Sequence, residues 1–174
     1  MAACPVLEIE LSARWPAEWD GLEWHGRGRC KVCGGTGRVA YRRRKWRPCE
    51  CVARRAFSQV WGKYVEMQRS GPALQVSMDR PWWYGRKREE FMADVERVAG
   101  VALAEDEGHR RIWSMHFVGG AGWRECCARM GLEREAFFRE VDRTKRELGR
   151  AWTEVRPYAL FPVTGYLGRQ GFGA

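Results

Sequence analysis

Four of the seven cysteines fall close together, as Cys30-Lys-Val-Cys33 and Cys49-Glu-Cys51. Two such pairs supply four thiolates, the number a structural zinc ion takes in a tetrahedron. A Cys-x-x-Cys knuckle offers both of its sulfurs from one tight turn. Gly34-Gly35-Thr36-Gly37 follows at once, and glycines there let main-chain amides turn toward sulfur with no Cβ in the way. The spacing predicts one zinc per chain on Cys30, Cys33, Cys49 and Cys51, the alternative being four buried free thiols. His25 could stand in as a ligand, although a lone histidine beside a tryptophan is more often surface. No enzyme is expected. There are three histidines, and no carboxylate pair or nucleophile with a nearby base stands out. Gly34 to Gly37 belongs to the knuckle and is not a phosphate loop. Cys126 and Cys127 read as small hydrophobes, and Cys4 has no assigned role.

Charge gathers around the same cysteines. The 174 residues carry a net +9, which favours an anionic partner. Between Gly26 and Lys63 twelve Lys and Arg face the single acid Glu50, a local +11, so the remainder is slightly acidic. Arg38, Arg42, Arg43, Arg44, Lys45, Arg47, Arg54 and Arg55 are the candidate phosphate or nucleic-acid backbone contacts. Nascent RNA is a further candidate ligand for this patch. The start Met1-Ala-Ala-Cys-Pro lacks the basic and apolar run of a signal peptide. No window approaches a membrane span, and an odd cysteine count with metal-type spacing suits a reducing cytoplasm.

A second pattern lies at 109–152, HRRIWSMHFVGGAGWRECCARMGLEREAFFREVDRTKRELGRAW. A helical stretch ends at Gly119-Gly120, a short helix runs from Trp123 to Met130, Gly131-Leu132 turns, and a long helix begins near Glu133. Helix, turn and helix at this spacing is the layout whose last helix enters the DNA major groove. Cys127 and Gly131 take the small-residue and turn positions, and Cys126, Met130, Leu132 and Phe137 the core ones. The last core position falls on Glu140, with Val141 able to replace it after a small rotation. The reading side chains would be Glu133, Arg134, Glu135, Phe138, Arg139 and Arg143. The alternative is a helical hairpin with a solvated charged face.

Two resemblances follow from these residues. CxxCxGxG at 30–37 resembles half of the zinc centre of DnaJ co-chaperones, but its second half departs, with one residue between Cys49 and Cys51 and no glycines after. The stretch 109–148 resembles the promoter-reading domain of bacterial sigma factors, over about a quarter of the chain. Phage late-gene antitermination proteins of the Q type are similar in carrying both kinds of part. That resemblance implies DNA and RNA polymerase as partners, in the cytoplasm of a bacterial host. It implies neither a membrane nor a small-molecule substrate.

These parts need elements to position them. The sequence predicts a mainly α fold: a helix-turn-helix bundle with a small zinc-bound hairpin and knuckle. Val39, Tyr41 and Trp46 read as the hairpin. Ala53, Ala56, Phe57, Val60, Trp61 and Tyr64 give a helix over 52–69 one apolar face, and Phe91, Val95, Val98, Ala102 and Leu103 do so for a helix over 86–106. The organisation expected is an N-terminal arm at 1–25, the zinc module and its helix at 26–69, and a linker at 70–85. A sigma-like domain at 86–152 and a tail at 153–174 follow. The arm either packs on the rest or orders on a partner. The aromatics of 81–84 either stack on bases or pack under a loop, and the tail either folds back or docks elsewhere. A protein-interaction module of co-chaperone type and a replication accessory protein on single strands are the rival functions.

Overall fold

A computed structural model describes residues 26–42, 45–70, 83–154 and 160–163. The expectations for the arm, for Arg43 and Arg44, and for most of the linker and tail lie outside these residues. The side chains of Arg42 and Lys45 do so as well. Among the described residues the fold is mainly α, with one small sheet. Strands β1 (Arg38–Arg42) and β2 (Lys45–Pro48) pair antiparallel, Arg38 opposite Pro48 and Ala40 opposite Trp46. Helix α1 (Glu50–Arg69) follows directly, because Cys49 is extended at its N-cap and already accepts from Val52 N–H at 2.9 Å.

Helix α1 buries Val52, Ala53, Ala56, Phe57, Val60 and Tyr64, while Trp61 is half-buried. Helix α2 (Trp83–Ala102) starts earlier and stops earlier than the sequence suggests. Residues 103–105 turn, and Asp106 caps α3 (Glu107–Ile112) by accepting from His109 N–H at 2.9 Å. The chain then widens into a π-helical turn, Trp113–Val118, that closes at Gly119. Helix α4 (Trp123–Met130) ends on Gly131, which takes the left-handed conformation at φ 66°. Helix α5 (Arg134–Glu154) follows after two residues. No helix among the described residues is long and apolar enough to cross a membrane.

Two hydrophobic clusters result. The larger joins α1, α2 and α5 through residues such as Val60, Phe91, Val95, Leu148 and Trp152, and it takes in Leu160, Phe161 and Val163. The chain thus returns onto the bundle at 160–163, where Leu160 N–H donates to Trp152 O at 2.9 Å. The smaller cluster is Ile112, Cys126, Phe137 and Val141, with Met130 and Leu132 packed against it. Val141 is buried where Glu140 broke the pattern, and Glu140 turns instead to His109. Phe117, in the π turn, packs against both clusters. The segments expected at 26–69 and 86–152 therefore share one core.

Helices α1 and α5 cross at close range. A Cβ on Gly149 would lie 2.6 Å from the Ala53 carbonyl carbon, and closer still to its oxygen. Charge pairs flank this crossing. Glu50 accepts from Arg146 at 3.0 Å and from Arg150 at 3.1 Å, and Arg54 pairs with Asp142 at 2.6 Å.

Candidate metal centre and the adjoining helix pair

The knuckle is built from local hydrogen bonds. Gly34 N–H donates to Cys30 O at 2.8 Å, and Thr36 donates to Cys33 O through both its N–H and its hydroxyl. Gly34, Gly35 and Gly37 all have positive φ, between 59° and 95°. Side chains disfavour that region, which explains why the turn spends three glycines. Cys49 N–H then donates to Gly37 O at 2.7 Å. This bond and the β1–β2 pairing bring the second cysteine pair back over the first.

All four sulfurs lie within 4.8 Å of one another. Cys30 and Cys49 are 3.7 Å apart at sulfur, and Cys33 and Cys51 are 3.6 Å apart. These are far from a disulfide length, and the cysteines are free. Four sulfurs bound tetrahedrally at ~2.3 Å would stand roughly 3.8 Å apart. The four cysteines of the sequence pattern thus come together as a group that could hold one metal ion.

Their electrostatics differ from one to the next. Main-chain amides of Cys33 and Val32 hold the Cys30 thiol down at about 6. Burial pushes Cys49 up and Cys51 up to about 12, the latter against the Arg27 amide. Four thiolates cannot share so small a volume without a compensating cation. A bound dication would supply that charge and displace the remaining thiol protons.

Around the centre, Arg38 and Arg47 are half-buried on the hairpin, and Arg55 is exposed on α1. Arg54 is turned to Asp142 of α5. The sequence reading missed Glu50, the spacer between Cys49 and Cys51, which ties the centre to Arg146 and Arg150. Only its charge within a basic run hinted at this.

The α4–turn–α5 pair leaves Glu133, Arg134, Glu135, Phe138, Arg139 and Arg143 all exposed. Arg143 donates to Glu140 at 2.9 Å. His109 is buried between α3 and α5, with Glu147 at 2.8 Å, Glu140 at 3.1 Å and Asp106 at 3.2 Å. It fastens α3 to α5. His116 meets the Ala121 carbonyl at 3.0 Å and the Phe137 ring. At the far end of α5, burial pushes the Glu154 carboxyl up to about 7, with Arg150 opposing. Comparison with protein-family models, curated proteins and solved structures finds no match to this chain.

Proposed function

We propose that this chain is a zinc-containing, DNA-binding transcription regulator of the phage antitermination type. Its tetracysteine centre holds one Zn2+, and its α4–turn–α5 pair reads duplex DNA. The observation that carries the reading is the joining of the two parts. Four sulfurs within 4.8 Å of one another sit at the head of α1, and Glu50, Arg54 and the Gly149 crossing fasten α1 to α5. The ion would order the module that bears the +11 charge, and that module would grip phosphates while α5 enters the groove. RNA polymerase as partner rests on the resemblance of 109–148 and 30–37 to their families.

Elemental analysis and gel shifts at two salt concentrations test this proposal. One zinc per chain is expected, together with duplex binding that weakens steeply with salt. Replacing Arg42, Arg43, Arg44 and Lys45 by Gln should weaken binding to all sequences alike and flatten the salt slope. Read-through of a terminator by purified polymerase, with and without the protein, tests the antitermination step. Metal-free protein or an unchanged salt slope would count against the respective parts. Binding to single strands in preference to duplex would favour the replication accessory reading.

A further inference from the structure

Three side chains stack across the turn between α4 and α5. The Arg134 guanidinium carbon lies 5.3 Å from the Trp123 ring centre and 6.0 Å from that of Phe138. The two rings are 6.3 Å apart. Arg124 also lies over Trp123, at 5.1 Å. Trp123 is half-buried against the smaller cluster. Phe138, by contrast, is 45% exposed, and it is the one aromatic among the exposed large hydrophobics of the described residues.

This arrangement fixes what Arg134 can offer. Rings beside the guanidinium restrain a side chain that otherwise has wide rotamer freedom, and the N–H groups of this exposed arginine are its donor set. Glu133 and Glu135 flank it in sequence and are exposed, so these two acids cancel the two charges of Arg124 and Arg134. General attraction to phosphate is therefore weak here, and a directional contact is favoured. On the major-groove edges, guanine offers two acceptors matched to such a fork. The thymine C5 methyl is the apolar group there that suits a phenyl ring. Phe138 stands one helical turn beyond Arg134. A turn rises about 5.4 Å and a base step about 3.4 Å, so the two side chains reach bases one or two steps apart.

We propose that this stack reads a guanine together with a thymine one or two steps away. Arg134 contacts the guanine, Phe138 contacts the thymine methyl, and Trp123 is the positioning residue that holds the guanidinium. The inference rests on the proposal that α5 reads duplex DNA, and it names the bases read.

The test uses the full zinc-loaded chain and a random duplex library. Selected duplexes should share a guanine and a thymine at that spacing. Uracil in place of the thymine removes only the methyl and should weaken wild-type binding about 3- to 5-fold. The Phe138→Ala variant should bind the thymine and uracil duplexes equally. 7-Deazaguanine at the guanine should weaken wild-type binding about 5-fold or more. Trp123→Ala should shrink that loss, and Trp123→Phe should restore it. A selected duplex that wild type binds equally with thymine or uracil overturns the inference and leaves DNA reading intact. An unchanged thymine-to-uracil ratio in Phe138→Ala does the same, with the variant's fold checked by circular dichroism and a thermal melt. Failure to enrich any duplex overturns both proposals.

Discussion

Replacing Gly149 with alanine should destabilise the protein, against the usual sign for such a change. In a helix interior, alanine is favoured over glycine by about 1 kcal/mol. Here the added methyl would lie 2.6 Å from the Ala53 carbonyl carbon and 3.2 Å from its Cα. These are backbone atoms of α1, two residues past Cys51, and no side-chain rotation can clear them. Helix α5 would have to draw back by roughly an ångström, loosening Leu148 and Trp152 in the large cluster and stretching the Glu50 pairs. Overpacking of this kind costs about 1–3 kcal/mol, and the lost charge pairs add to it. A net loss of about 2 kcal/mol is expected, lowering the melting temperature by about 4–8 °C. Urea unfolding of the zinc-loaded chain, followed by circular dichroism, measures it. Gly62→Ala in α1 and Gly100→Ala in α2 are the controls. A Cβ at either meets nothing within 4 Å, so both should gain about 0.4–1 kcal/mol. A Gly149→Ala chain that gains stability as the controls do would refute the close crossing of α1 and α5.

Cys49→Ser should abolish stoichiometric zinc and lower the melting temperature by about 10 °C or more, because metal binding is linked to folding; Cys4→Ser should leave both unchanged in the same metal analysis and melt. Zinc affinity should fall as pH is lowered, since protons reclaim the thiolates, and a competition titration with a chromogenic chelator reads this. Glu154 carries a carboxyl at about 7 when folded, above its ordinary 4.5, so the folded state holds that proton more tightly. Stability should therefore decline as pH rises from about 4.5 to about 7, and Glu154→Gln should remove the decline, gaining about 1–2 kcal/mol above pH 7 after allowance for partial exposure. Parallel pH profiles for the two chains in thermal melts would show the reasoning to be wrong. Glu50→Gln should cost only about 0.5–1 kcal/mol, because its pairs with Arg146 and Arg150 are partly exposed, and high salt should shrink the difference in urea melts.

Local signals carried much of the design. The knuckle glycines, the two cysteine pairs and the left-handed Gly131 are each dictated by neighbours a few residues away, and the four sulfurs do converge. Val141 was legible as the substitute for Glu140 because helical spacing alone places it on the buried side. What stayed hidden depends on partners far along the chain. Gly149 looks like a helix weakness until Ala53 is seen against it. Glu50 looks like a spacer until Arg146 and Arg150 arrive from α5. Trp123 reads as the start of a helix, and its stacking on Arg134 is set by the path of the turn. The π turn was also illegible, since its widening lets Phe117 serve two clusters, a tertiary demand.

The crossing of α1 and α5 also orders events during synthesis. Glu50 and Arg150 stand 100 residues apart in the chain. At about 5–20 residues per second, the ribosome needs about 5–20 s to deliver one after the other. Through that interval the apolar face of α1, Val52 to Tyr64, has emerged without the helix that covers most of it. The cysteine pairs face each other across only 19 and 18 residues, so the cysteine module can close while the rest is still being made. The nascent chain would then carry a finished knuckle joined to a bare amphipathic helix, which is the state in which a chaperone has most to hold and aggregation most to gain.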